Sequence, residues 1–486
     1  MKQPTLNEKI IFGLKLKEFR KEKQMLLSDL ARISGISVSY LNEIEKAKKY
    51  PRPEKIEQLA TALDIPMADF ISTELSAKYT PVADLLDSNF LHELPLDVFG
   101  IDKVKIIEMV AEAPSRIGAF ISTLVEMSRL HGQEAEHFYI GAMRTYQEMY
   151  NNYFEEIESA ALQYLTSIGH AHDTETYLNF LKENYGINIQ TGLLSKYSNL
   201  KNFRSVFKAN TRELLLRENL HTSQINYLLL KETAYHFLNL QERSATDKLW
   251  RINSFEQVLN NFKAHYFASC ILVPADSFLN DLKRFIEKEN FDSTFIEAWI
   301  NKYQVSPELL MHRFNLLPQY LGLDKIFFLR VVHSVSANTF EIDKELHLSR
   351  RHDPQANRLK EHYCRRALSV SVFKKLKESD KNLVVDVQRS VYFNSSNEYI
   401  CLSVAQKYSD NPDKMISITA GLYLDEHSMS KLKFIHDSDI KRVVVNVTCE
   451  RCSIADCQER AFDPTILIEK ERRKKITKAI DDLLTL

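Results

Sequence analysis

The spacing of apolar residues changes once along this 486-residue chain, near residue 325. Before that point apolar side chains recur at intervals of three and four. Examples are "IIFGLKLKEFRKEK", "PEKIEQLATALDI", "PSRIGAFISTLVEMSRLHG", "EHFYIGAMRTYQEMYNNYFEEIESAALQYL" and "SFLNDLKRFIEKENF". That period belongs to amphipathic helices. After it come β-branched and aromatic runs with some alternation: "KIFFLRVVHSVSANTFEI", "NLVVDVQRSVYF", "EYICLSVAQKY", "KMISITAGLYL" and "KRVVVNVT". These read as strands, and "YFNSSNEY" as a hairpin connection between two of them. The expected fold is therefore mainly α with a C-terminal α/β domain on a mixed or antiparallel sheet. The chain has only 11 glycines, well below the usual share of roughly 7%, which favours helices over tight turns.

A chain this long exceeds one core, and four segments are expected: 1–75, a helical linker or dimerisation region over 76–200, a helical domain over 201–325 and an α/β domain over 326–486. With 44% hydrophobic and 27% charged residues the sequence reads as globular. It holds no run of about 18 apolar residues and no apolar signal core at its start, so no membrane partner and a cytoplasmic location are expected. The tail "EKERRKKITKAIDDLL" reads as a charged, solvated helix.

Charge is unevenly spread. Residues 1–55 carry 13 Lys/Arg against 7 Asp/Glu, while the whole chain is at −1, leaving −7 for the rest. A basic first module on an acidic body points to a polyanion partner for that module. Within it, "LLSDLARISG" ends in Gly35, suited to a left-handed turn, and Ser37 can cap a new helix, "SVSYLNEIEKAKK". Helix, sharp turn and helix give a helix-turn-helix shape, whose second helix enters the major groove of double-stranded DNA. Ser37, Val38, Ser39, Tyr40, Asn42 and Glu43 would face base edges. Lys46, Lys48, Lys49 and Arg52 would meet phosphates.

The stretch "LKEFRKEKQMLLSDLARISGISVSYLNEIEKAKKYPRPEKIEQLATALDI" resembles the DNA-binding domain of phage-repressor or XRE-type regulators, a five-helix fold. The matching residues are Leu30-Ala31, Gly35, Ser37, Ile44-Glu45, Pro53, Leu59-Ala60 and Leu63. The resemblance implies base contacts from Val38, Ser39 and Glu43, and a structural pair between Arg20 and Glu45. Leu27 stands where that family usually has a phosphate-touching Gln.

The middle segment is similar to ImmA/IrrE-type metallopeptidases in "NNFKAHYFASCILVP", through Ala264, Phe267, Ala268, Leu272 and Pro274. The catalytic signature of zinc peptidases puts two His one helical turn apart around a Glu. Here Lys231 and Tyr235 hold the two His positions and the third ligand falls near Asn261, although Glu232 remains. No enzymatic activity is expected, and Glu232→Ala is expected to leave every function unchanged. A working metallopeptidase acting on a partner repressor is the alternative.

Cys449, Cys452 and Cys457 crowd half of the chain's 6 cysteines into one short stretch. In a reducing compartment three close thiolates suit zinc or an iron–sulfur cluster, and spacing leaves the two equal. Cys364 is the candidate fourth ligand, while Cys270 and Cys401 read as core residues. "TCERCSIADCQERAFDP", with Arg460, Ala461, Phe462 and Pro464, resembles the C-terminal signature of bacterial short-chain acyl-CoA-responsive transcriptional regulators. That resemblance implies a 4Fe-4S cluster on these thiols (a zinc staple being the alternative), acyl-CoA as ligand, and a homodimeric regulator of transcription.

Overall fold

The computed structural model describes residues 6–72, 135–169, 172–250, 252–348, 361–393, 395, 397–408 and 411–484. The helix expected over residues 114–132 lies outside them. The chain divides into two compact units, residues 1–143 with 252–256, and residues 144–251 with 257–486.

The first unit opens with five helices: α1 (Leu6–Glu22), α2 (Leu27–Ser34), α3 (Val38–Glu45), α4 (Pro53–Leu63) and α5 (Met67–Ile71). Local chemistry sets their ends. Gly35 closes α2 at φ 68°, a conformation that costs glycine little. The Ser37 hydroxyl accepts the Tyr40 N–H at 3.3 Å and starts α3. Pro53 opens α4, where its missing N–H is no loss. The helices bury Phe12, Leu16, Leu30, Leu41, Ile44, Leu59 and Phe70 in one core. Each such side chain contributes about 1.5–3 kcal/mol. Lys15 is buried too, and its ammonium donates to the Asp69 and Ser72 carbonyls at 2.7 Å each, fastening the end of α5 to α1.

Gly13 is where α1 crosses α3. A Cβ there would stand 2.5 Å from the Ile44 carbonyl oxygen. Gly13→Val should therefore push the two helices apart and destabilise this unit by roughly 1–3 kcal/mol. A urea midpoint equal to wild type for the isolated transition of this unit would refute that close approach.

Beyond the five helices of the head the chain differs from its sequence reading in two places. The periodicity predicts one helix across residues 136–165. The chain forms α6 (Ala135–Met149) and α7 (Glu155–Ile168) instead, because Asn151 and Asn152 turn left-handed, at φ 49° and 52°. The segment read as mostly helical also holds a small sheet. After α8 (Thr174–Tyr185) come β1 (Asn188–Thr191), β2 (Ser205–Lys208) and β3 (Glu213–Leu216) in the order β1-β3-β2, with β1 parallel and β2 antiparallel to β3. Two long helices follow, α9 (Thr222–Phe237) and α10 (Phe255–Leu272). Tyr164, Tyr177, Leu214, Leu229 and Phe267 join helices and sheet in one core. Arg313, only 1% exposed, reaches into this core and grips Glu158 of α7 with two nitrogens, at 2.6 and 3.2 Å.

The C-terminal part is built on six strands: β4 (Ile326–Ser334), β5 (Thr339–His347), β6 (Leu383–Tyr392), β7 (Glu398–Lys407), β8 (Lys414–Tyr423) and β9 (Arg442–Val445). Their order is β5-β4-β8-β7-β6-β9. All neighbours are antiparallel except β6 and β9. The run "KIFFLRVVHSVSANTFEI" is a hairpin, β4–β5, turned at Asn338 with φ 50°. Both faces of the central strands β4, β7 and β8 are covered, so these three are apolar almost throughout, while the edge strand β5 is largely exposed and polar. On β4, Ile326 and Phe328 face the core built with α11 (Ala275–Ile286) and α12 (Thr294–Tyr303). Phe327 and Leu329 face the core built with α13 (Leu368–Glu378). The expected mainly α chain with a C-terminal mixed sheet and a five-helix head is what the structure shows. The last helix, α14 (Thr465–Leu484), has no buried residue.

Candidate functional site

The four cysteines singled out in the sequence meet around one small pocket. Cys364, Cys449, Cys452 and Cys457 line it, with Arg365, Arg366 and Arg460. Cys364 arrives from 85 residues upstream because two segments zip together there. Tyr363 bridges to Thr448, the Cys364 N–H donates to the Val447 carbonyl at 3.1 Å, and the Cys449 N–H donates to the His362 carbonyl at 2.8 Å.

Buried carboxylates lock this zipper. Glu361 accepts from the Thr448 hydroxyl at 2.6 Å and from Arg451 at 2.6 and 2.8 Å. Glu450 accepts the His362 N–H at 2.9 Å and lies 2.7 Å from its Nδ1. The residues that follow the cysteines hold the loop from the other side. Arg460 donates to the carbonyls of Cys449 at 3.3 Å, Cys452 at 3.5 Å and Ile454. The Ala461 N–H points at the Cys449 sulfur at 3.4 Å. Phe462 stacks on His362 with centroids 4.7 Å apart.

All six cysteines are free thiols. Burial raises the Cys364 thiol above its ordinary value. Among the described residues no three His, Cys, Asp or Glu groups already stand at the spacing that grips a single ion. Cys401 is a core residue whose thiol burial pushes up to about 12. Cys270 is likewise buried, beside Arg313, with its thiol pushed well up by burial.

The peptidase-like positions also come together. Lys231 on α9 donates to Asn261 Oδ1 on α10 and to the Asp247 carbonyl, each at 2.7 Å. The Tyr235 hydroxyl reaches the same Asn261 oxygen at 3.4 Å. Three positions that resemble a metal-binding triad are thus tied to each other by hydrogen bonds. Glu232 is 3% exposed and held by both terminal nitrogens of Arg243 at 2.6 Å each, with His236 Nε2 at 3.0 Å. Burial works to raise its pKa, but the bonds from Arg243 and His236 win and keep it ionised below the usual range. Sequence reasoning saw Glu232 as idle. Its partner Arg243 lies in the loop after α9, outside any helical spacing that would have revealed it.

Burial pushes Lys231 down to about 8, with Asp247 and Glu232 pulling upward and Arg243 and Lys344 adding to the fall. Unfolded, a lysine keeps its proton to about 10.5. Between about 8 and 10.5 the unfolded chain binds the extra proton, so stability rises with pH through that window. The full gain is about 3 kcal/mol. The stability difference between wild type and Lys231→Met, measured by urea unfolding from pH 7 to 11, should grow by that order. A difference independent of pH would refute the shift.

In the first unit, α3 presents the candidate DNA readers. Ser37, Val38 and Ser39 are exposed at its N-terminus, and Val38 remains 46% exposed although apolar. Tyr40, Asn42 and Glu43 are half-buried, and Lys46 is exposed. Glu43 holds Lys49 at 2.8 Å, and Lys49 lies 5.5 Å from the Tyr40 ring centroid. Arg20 grips Glu45 at 2.7 and 3.1 Å, both largely buried, so this pair joins α1 to α3 and takes no part in readout. Residues 16–70 match the helix-turn-helix family model. The helix-turn-helix domain is 39% identical over 56 residues to the HTH-type transcriptional repressor RghR of Bacillus subtilis (strain 168). That match takes in 11% of this chain and 42% of the repressor, so the chain spans less than half of its relative. Among solved structures, a Mycobacterium tuberculosis transcriptional regulator is similar at a TM-score of 0.46 and 17% identity, over 66% of this chain and 92% of that one. No helix among the described residues is long and apolar enough to cross a membrane.

Proposed function

We propose that this chain is a transcription regulator that binds double-stranded DNA through its helix-turn-helix domain and carries a metal centre on its C-terminal thiols. The observation that carries the first part is α3, whose capped N-terminus exposes Ser37, Val38 and Ser39 beside exposed Lys46, Lys48 and Lys49. Such a helix puts side chains at base edges while lysines neutralise phosphates. The relationship to a named repressor, over this domain alone, supports the same reading. Binding to a duplex operator should weaken steeply with salt, by a log–log slope of about −0.9 per phosphate contacted. Lys46→Ala should make that slope shallower by about one and weaken all sequences alike. Ser39→Ala should change the preference among operators. Salt-independent binding, or binding retained after removal of residues 1–75, would sink the assignment.

The donor set of the thiol pocket fits an iron–sulfur cluster. Four cysteines ring the space, three arginines offset the negative charge of a thiolate-bound centre, and an N–H points at one sulfur. A single zinc and a 4Fe-4S cluster both draw on such a set of thiolates. Cys364, Cys449, Cys452 and Cys457 would hold the cluster, which would supply a redox- or oxygen-responsive input. Arg460 would keep the loop carbonyls fixed around it. Iron and zinc counts with an absorption spectrum of anaerobically purified protein separate the two metals.

We further propose that the body senses a short-chain acyl-CoA as a homodimer. A wholly apolar cavity of about 60 Å³ between α11 and the sheet, lined by Phe285, Phe291, Leu402, Leu422 and Phe434 among others, matches the size of a two- or three-carbon acyl end. Calorimetric titration with acetyl- and propionyl-CoA tests this, and Leu402→Trp should abolish the heat of binding.

A further inference from the structure

Glu450 sits between Cys449 and Cys452 and touches three segments at once. Its carboxylate holds His362, two residues before Cys364. Its backbone carbonyl accepts the N–H groups of both Ile466 and Leu467, at 3.1 Å each. Those two donors lie in the first turn of α14. Beyond that turn the helix leaves the body: all of residues 468–484 are exposed, including Ile476 at 50%, Ile480 at 50% and Leu483 at 71%.

A helix without a buried face has little to hold it. Starting a helix in water carries a penalty of roughly 10⁻³ in equilibrium constant, and the 20 residues of α14 have no buried face whose packing would offset it. Here the nucleus is supplied from outside, because the Glu450 carbonyl fixes the first turn in place. That carbonyl belongs to the same turn as two of the pocket's thiols. Anything that sets the spacing of Cys449 and Cys452 also sets where the carbonyl points.

We propose that Glu450 is a latch through which occupancy of the thiol pocket controls the order of α14. This rests on the metal-centre reading given above. With the four thiols drawn onto one centre, the 449–452 turn is rigid and α14 is nucleated. With the centre removed, the turn loosens, the two anchoring hydrogen bonds break and the helix melts. The response is local, since no core residue belongs to α14. By linkage the reverse also holds: weakening the anchor weakens retention of the centre.

The helix carries its own reporter, because Arg472, Arg473, Lys474 and Lys475 form a run of exposed trypsin sites. Full-length protein would be reconstituted anaerobically with iron and sulfide, or loaded with zinc, then digested before and after treatment with a chelator. Cleavage at residues 472–475 should accelerate at least about tenfold on removal of the metal. Cleavage at exposed Arg284 on α11 should not change. Leu467→Pro removes one anchoring donor at a first-turn position where the proline φ fits a helix. It should speed cleavage of the loaded protein and hasten loss of metal to the chelator. If metal is bound and removed yet the cleavage rate at 472–475 stays the same, the latch is wrong while the metal centre stands. Equal acceleration at Arg284 also overturns the latch, because the whole body has then unfolded. If the protein retains neither iron nor zinc, the metal centre fails and the latch fails with it.

Discussion

Glu232→Ala is expected to lower the stability of the second unit by about 3–5 kcal/mol, a large part of what a domain possesses. The reason is the partner left behind. Arg243 holds Glu232 with two 2.6 Å bonds, and its guanidinium is sandwiched between the Phe207 ring at 4.1 Å and the Tyr235 ring at 4.0 Å. Deleting the carboxylate strands a cation between two aromatic rings, and water has little access to compensate it. Urea unfolding of wild type and variant measures the loss. Glu232→Gln should recover part of it, because an amide oxygen still accepts one bond. Removing both partners, Glu232→Ala with Arg243→Leu, should cost less than the two single changes summed. The sequence alone marks this glutamate as a remnant whose removal is silent. A silent Glu232→Ala would mean that the pair contributes nothing to folding.

The second large effect concerns the thiols. Cys449→Ser, Cys452→Ser, Cys457→Ser and Cys364→Ser should each abolish stoichiometric metal binding, and with an iron–sulfur centre each should remove the brown colour. A hydroxyl is a far poorer ligand than a thiolate, and three remaining sulfurs leave the centre open. Cys364→Ser is the most informative, since that residue joins the others only through the pairing of Tyr363 with Thr448. Cys270→Ser and Cys401→Ser should keep the colour, because neither side chain lines the pocket. Metal binding and folding are coupled at such sites, so loss of the centre should also lower the unfolding midpoint. Retention of full metal in all four variants would dismiss the pocket as a metal site.

What the sequence disclosed follows the range of the forces involved. The helix-turn-helix domain was legible because its determinants are local: Gly35 turns the chain, Ser37 caps the next helix and Pro53 opens another, all within a few residues of the element they shape. The strands of the large sheet were legible because each is nine or ten residues long, apart from β9, and rich in β-branched residues. The small sheet was not, since four residues such as "NIQT" or "ELLL" are too few to display a period. The breaks at Asn151–Asn152 and Asn338 were hidden because a left-handed asparagine looks like any polar surface residue. At the thiol pocket three cysteines announced themselves by proximity in sequence. The roles of Glu361, Glu450 and Arg460 did not, because they act through backbone groups that only the folded chain brings near.

The chain order of the pocket has a consequence for how the molecule comes into being on the ribosome. Every element of the helix-turn-helix domain is finished by residue 71, whereas Cys457 follows 386 residues later. At about 5–20 residues per second, some tens of seconds separate the two in each round of translation. Through that interval a nascent chain already holds a folded head, with at most one of the four thiols exposed to any metal donor until residues 449–457 emerge. A centre held by these thiols would therefore be assembled only after the head has folded, and a cell starved of metal would accumulate copies whose heads are complete and whose pockets are unfilled.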